Sequence, residues 1–212
     1  MGMVSWSVVN RGFYIGLAIG QIFLTVISTA YASMLWILGQ NPAQVSLIAV
    51  GVGLVGLVFL AASLILLRDA LRLPAGTSPE TRSIGKKVGR RFGLVALSEG
   101  VIIGAITTLL SQTNHGDWSI PVIYFIVGLH FFPLAFVFRV RSYLVLGLLW
   151  VVISLLTVIL TPASLIVGQG LSAWVFFPIA GCGVATWPVV AYVIRTSMRK
   201  VHHVLRLPSP VL

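Results

Sequence analysis

Two residues that can exchange a proton stand inside apolar stretches of this 212-residue chain. Glu99 lies eight residues after Arg91, and His130 lies nine residues before Arg139. At 1.5 Å per helical residue, both are about 12–14 Å from the basic residue that ends their stretch. Ionisable side chains at such depth in a bilayer are costly and mark candidate functional sites. A carboxyl group and an imidazole on adjacent helices would titrate as a pair and take up or release one proton.

The composition places these residues in a membrane protein. The chain is 58% hydrophobic and 8% charged, with a mean hydropathy of +1.05, whereas about 25% of the residues in a soluble domain are charged. A helix needs about 20 apolar residues to cross a bilayer. Six runs are long enough, at residues 12–38, 44–67, 91–111, 119–138, 142–161 and 170–194. We therefore predict an all-α bundle of six transmembrane helices that forms a single domain over residues 1–212.

The basic residues predict the orientation of the bundle. All 14 Lys and Arg residues precede the first run, follow the sixth, or lie at the second-to-third and fourth-to-fifth connections. By the positive-inside rule, both termini are cytoplasmic and residues 68–90 form a basic cytoplasmic loop. Six of these residues are expected to bind anionic lipid headgroups. They are Lys86, Lys87, Arg90, Arg91, Arg139 and Arg141.

Other polar residues and prolines are expected around the two ionisable residues. Gln21, Thr25 and Ser28 form a stripe on the first helix, and Thr186 lies on the sixth at the depth of Gln21. Such residues either make interhelical hydrogen bonds or line a polar cavity. We expect one polar layer, composed of Gln21, Glu99, His130 and Thr186. Prolines within helices predict hinges, with a kink or local unwinding in the sixth helix; they are Pro133, Pro178 and Pro188.

Several other chemistries lack the residues that they need. Cys182 is the only cysteine, so neither a disulfide nor a thiolate metal cluster is expected. No lysine lies in a span, and hydrolase, zinc-protease and P-loop motifs do not occur. The net charge of +10 comes from helix ends, so no nucleic-acid partner is expected. We expect no cofactor and no metal. The expected partners are the bilayer and a small solute or ion, and a homo-oligomer stays open.

The run Gly-Leu-His-Phe-Phe-Pro-Leu-Ala at residues 128–135, with Glu99 one helix earlier, resembles a group of small bacterial six-helix integral membrane proteins. The resemblance is clearest from about Arg91 to Tyr143. It implies a multi-pass protein of the bacterial inner membrane, and it implies no activity.

Three functions are open at this point. The leading hypothesis is transport of a small solute or ion, with Glu99 and His130 as proton-coupling or gating groups. A second is an intramembrane enzyme that acts on a lipid, which the missing nucleophile or metal set disfavours. A third is a structural or partner subunit, in which His130 bonds a free carbonyl and Glu99 bonds Gln21 or Thr186.

Overall fold

Within the residues that the structure describes, six helices are long and apolar enough to cross a membrane. The computed structural model describes residues 11–73, 79–138, 140–168 and 170–206, with the backbone alone for residues 79–89. These helices confirm the predicted all-helical architecture. They are α1 (Arg11–Ala32, continued by a 3₁₀ segment, Ser33–Leu38), α2 (Pro42–Arg72), α3 (Pro79–Gln112), α4 (Ser119–Phe138), α5 (Ser142–Leu160) and α6 (Ala173–Leu205).

The connection before α6 differs from the prediction. The apolar run predicts a span from residue 170, but the helix begins at Ala173. The preceding residues form a short antiparallel hairpin, in which β1 (Ile166–Val167) pairs with β2 (Leu171–Ser172). Gly168 and Gly170 have φ values of 57° and 104°, a backbone conformation that glycine adopts without strain. This hairpin therefore replaces the predicted first turn of the sixth span.

The internal prolines do not interrupt their helices. α4 is helical through Pro133, and α6 is helical through both Pro178 and Pro188. The sixth helix therefore shows no local unwinding, and the kink, the other outcome expected there, stays a prediction. α6 also continues to Leu205, well past the predicted end at residue 194. A hinge role for the three prolines stays a prediction.

α6 lies at the centre of the bundle, where it packs against α1, α2, α4 and α5. α1 packs against α2 and α6, while α5 packs against α4 and α6. α4 and α5 approach each other closely at Gly128 and Gly147. A Cβ atom on Gly147 would lie 2.6 Å from the carbonyl oxygen of Gly128. Only glycine permits this contact, which is a common way for membrane helices to pack closely.

α3 lies at the edge of the bundle. It packs mainly against α4 and against the 3₁₀ turn Gly116–Trp118 that joins the two helices. None of residues 90–112 is buried. Large apolar side chains such as Leu97 and Val101 are more than half exposed. This outer face of α3 suits contact with lipid or with another membrane helix.

Candidate functional site

Glu99 and His130 meet between α3 and α4. The Oε2 atom of Glu99 is 3.2 Å from the Nδ1 atom of His130. Both side chains are largely shielded, with exposed fractions of 20% for Glu99 and 10% for His130. Glu99 lies near the middle of the spanning part of α3, Arg90–Gln112. The two side chains are in contact, as the similar depths estimated from the sequence allow. Their role stays a prediction.

The local fold explains why the two side chains meet. α3 and α4 are consecutive helices joined by a short turn, so they pack side by side. His130 faces α3, whereas its neighbour Phe131 is buried on the other side of α4. There the Phe131 ring packs against Tyr143 and Trp150, with ring centroids 6.0 Å and 5.5 Å away. Phe131 therefore anchors α4 in the core, and His130 is held at the interface with α3.

A carboxylate and an imidazole at this distance can share one proton. In an ion pair the Nδ1–H of His130 donates to the carboxylate of Glu99; in a neutral pair the protonated carboxyl group donates to Nδ1. Each state is cheaper in an apolar surrounding than two separated charges. Among residues 90–112, no other side-chain hydrogen bond or ion pair joins α3 to another helix. The pair is therefore the polar contact that holds this part of α3 to the bundle.

The predicted single polar layer is divided into two groups. Gln21 donates from Nε2 to the Oη of Tyr143 at 3.0 Å, in the buried centre of the bundle. Thr186 accepts from the Nε1 of Trp150 at 3.2 Å. In the described part of the chain, no hydrogen bond connects these residues to Glu99 or His130. Adjacent residues of α4 point about 100° apart, so His130 lies at the interface with α3, at the edge of the bundle, while the other polar groups lie in the core.

The four residues predicted for a polar cavity are all buried, but they differ in their hydrogen bonds. Ser28 donates to the carbonyl oxygen of Thr25 at 3.2 Å, and Thr186 donates to that of Cys182 at 2.7 Å. These bonds satisfy Ser28 and Thr186 within their own helices. The Oε1 of Gln21 and the Oγ1 of Thr25 have no hydrogen-bond partner among the described residues.

The sequence did not predict a second carboxylate–imidazole contact. Asp69 of α2 and His202 of α6 are 2.8 Å apart between Oδ2 and Nε2. Asp69 is buried, whereas the side chain of His202 is 47% exposed. The contact depends on the extension of α6 beyond its apolar run. Hydropathy gives no signal for this extension, because the helical turns beyond the apolar run are polar.

The predicted lipid-headgroup residues are only partly described. The side chains of Lys86 and Lys87, and all of Arg139, lie outside the described residues. Arg90, Arg91 and Arg141 are exposed. Arg141 borders a groove of about 300 Å³ that is otherwise lined by apolar residues; these are Ala135, Phe136 and Leu144. Headgroup binding stays a prediction for all six residues.

The described residues contain no group of three or more His, Cys, Asp and Glu side chains that could hold a metal ion. Cys182 is buried in the core. No family model, no curated protein and no solved structure matches the chain, so its function has to be inferred from the geometry of its own residues.

Proposed function

We propose that the protein is an integral membrane transporter or channel for a small solute or ion, with Glu99 and His130 as its proton-titratable element. The observation that carries the proposal is the 3.2 Å contact between a carboxylate and an imidazole in the apolar part of two helices. Ionisable residues in such positions are rare, and in membrane proteins they mark ion pathways and proton relays.

The position of α3 suggests how protonation is coupled to movement. α3 packs mainly against α4, and none of residues 90–112 is buried. Loss or gain of a proton changes the attraction between Glu99 and His130 and leaves one group unpaired. An unpaired charge near a helix centre costs about 2.5–3.5 kcal/mol on insertion scales. That free energy shifts a two-state equilibrium by about two orders of magnitude, which is enough to switch the position of an edge helix.

We also propose an orientation of the protein in the membrane and a cellular location. Both termini face the cytoplasm, because the connections that carry Lys and Arg then lie on that side. The membrane is the inner membrane of a bacterium, as the resemblance implies. Arg90, Arg91 and Arg141 then lie at the level of anionic headgroups, where each charge contributes about 1 kcal/mol of attraction.

Proton flux into proteoliposomes tests the proposal without knowledge of the solute. The purified protein is reconstituted with a pH-sensitive dye inside the vesicles, and gradients of K⁺, Na⁺ and Cl⁻ are imposed in turn. We expect at least one gradient to drive proton movement above that of protein-free vesicles. Glu99→Gln and His130→Gln should each lower this flux tenfold or more, because each removes one partner of the shared proton.

Asp69→Asn is the matched control. It removes the carboxylate of the other carboxylate–imidazole contact, which lies at the ends of α2 and α6. The flux of this variant should stay within twofold of the wild type. An equal loss in Asp69→Asn would indicate a general structural defect. Unchanged flux in both Glu99→Gln and His130→Gln would refute a role for the pair in proton movement.

The exposed face of α3 favours a second candidate, a partner subunit of a membrane complex. A helix with one main neighbour leaves a long side on which another membrane helix can pack. In that case Glu99 and His130 only fix α3 against α4. The same variants would then lower the stability of the purified protein in detergent, and no gradient would drive proton flux through the wild type.

A further inference from the structure

α1 carries a row of buried side-chain oxygens that lack a hydrogen-bond partner among the described residues. They are the Oε1 of Gln21, the Oγ1 of Thr25 and the Oγ1 of Thr29. The three residues follow at intervals of four, so successive members are about 6 Å apart along the helix axis. Gln21 is 0% exposed and Thr25 is 1% exposed. Bulk solvent therefore does not reach the first two oxygens.

Thr25 and Thr29 differ from the other threonines of the bundle. A threonine in an apolar helix usually donates its hydroxyl hydrogen to a backbone carbonyl three or four residues earlier. All other threonines whose side chains are described make this bond, at 2.6–2.9 Å. They are Thr107, Thr108, Thr113, Thr157, Thr161, Thr186 and Thr196. The hydroxyl groups of Thr25 and Thr29 are thus available to another partner.

The surroundings of the row place these oxygens at interfaces between helices. The Nε2 of Gln21 donates to Tyr143 of α5, which leaves its Oε1 as the free end of the amide. At the other end of the row, Thr29 faces Gly56 of α2. A Cβ atom at position 56 would lie 2.5 Å from the Oγ1 of Thr29, so glycine preserves the space that this hydroxyl occupies.

The chemistry of the row defines the ligand. The amide oxygen needs a hydrogen-bond donor, and each hydroxyl can donate and accept. A small molecule that also donates and accepts satisfies both kinds of group. The axial spacing of about 6 Å is close to the length of two hydrogen bonds in series. A cation would introduce a charge into this neutral core, which is expensive without a counter-charge.

We propose that the row binds internal water, with one molecule between Gln21 and Thr25 and a second between Thr25 and Thr29. The first water donates to the Oε1 of Gln21 and accepts from the hydroxyl of Thr25. The second bridges the two threonine hydroxyl groups. Buried waters of this kind satisfy polar groups that the protein leaves unpaired. The assignment is independent of the transport proposal, because it does not involve Glu99 or His130.

The substitution Thr25→Val tests the assignment through the sign of its effect on stability. Valine keeps the shape of threonine and removes the hydroxyl. If the hydroxyl were dry and unpaired, its removal would relieve a desolvation penalty and stabilise the protein. If it binds water, its removal deprives two waters of a partner. We then expect the folding equilibrium constant to fall roughly fivefold or more in mixed micelles with a denaturing detergent.

Thr157→Val is the matched control. Thr157 is also buried, but its hydroxyl donates to the carbonyl oxygen of Ile153 at 2.8 Å. That carbonyl belongs to a helix, so the loss of this bond should change the folding equilibrium constant less than twofold. An equal fall in both variants would show a general effect of replacing threonine and would overturn the assignment.

Water can also be detected in the unsubstituted protein. In deuterated protein, solid-state NMR should show magnetisation transfer from water to the methyl groups of Thr25 and Thr29, and not to that of Thr157. This measurement uses the unsubstituted protein, so it tests the proposal even if Thr25→Val fails to fold. Absence of transfer to both residues overturns the proposal. The proposal is also overturned if Na⁺, but not choline, stabilises the protein and Thr25→Val abolishes that stabilisation. The ligand would then be a cation.

Discussion

At the scale of single residues, the surroundings of a polar contact determine how much it contributes. Glu99–His130 and Asp69–His202 have similar geometry, at 3.2 Å and 2.8 Å. The imidazole of His202 is nearly half exposed, so water competes with Asp69 for it. Asp69 itself is buried, so the contact is accessible to water from one side only. The imidazole of His130 is 10% exposed and has little contact with competing solvent. Removal of Glu99 therefore leaves the imidazole of His130 without its polar partner in a shielded position, which is unfavourable.

The hydrogen bond between Gln21 and Tyr143 provides a test at the same scale. It joins α1 to α5 in the buried centre, at 3.0 Å. Tyr143→Phe removes the hydroxyl and leaves the amide of Gln21 without this partner. We expect a loss of about 1–3 kcal/mol in the free energy of unfolding, measured by detergent denaturation.

Tyr192→Phe is the control for this substitution. Tyr192 is 61% exposed on α6, so its change should stay within about 0.5 kcal/mol. If the two variants had the same stability, the buried hydrogen bond would make no net contribution to the bundle.

At the scale of helices, the crossing of α4 and α5 positions His130. Gly147 touches the backbone of Gly128, two residues before His130. A Cβ atom at Gly147 would also lie 3.0 Å from the Cβ of Phe131. Gly147→Ala should therefore force α4 and α5 apart and cost about 1–3 kcal/mol of unfolding free energy, as overpacking does. Detergent denaturation measures this loss.

Gly104→Ala gives the comparison in a helix that packs loosely. No atom outside its own helix lies within 4 Å of a Cβ at position 104 of α3. Alanine has the higher helix propensity, so this variant should be neutral or more stable by up to about 1 kcal/mol. A similar loss for both substitutions would mean that the α4–α5 crossing does not depend on glycine.

The same scale shows what the sequence could predict. Hydropathy predicts the helices, and for α4 it gives the observed bounds, 119–138. The sequence also predicts that Glu99 and His130 are neighbours, because consecutive spans joined by a short turn pack together. Hydropathy cannot predict that α6 continues to Leu205, since polar helical turns beyond the apolar run do not contribute to it. The contact between Gln21 and Tyr143 joins α1 to α5, and chain order contains no information about such a pairing.

At the scale of the whole molecule, the basic residues and the exposed apolar side chains lie in different parts of the structure. The basic residues flank the apolar runs of the sequence, while the exposed surface of the described helices within those runs is largely apolar, with Leu54, Leu57 and Leu97 each more than half exposed. Such a surface is stable only in contact with lipid tails or with other membrane helices. The apolar surface is therefore available for lipid or a partner, and the basic residues predict the orientation.

The orientation can be tested with single cysteines, because the one native cysteine, Cys182, is buried. We expect a membrane-impermeant maleimide to label His115→Cys in intact cells, since the loop before α4 contains no Lys or Arg and should face outward. Arg199→Cys, on the exposed surface near the end of α6, should be labelled only after the cells are permeabilised. The unsubstituted protein serves as the blank. Labelling of Arg199→Cys but not of His115→Cys in intact cells would reverse the predicted orientation.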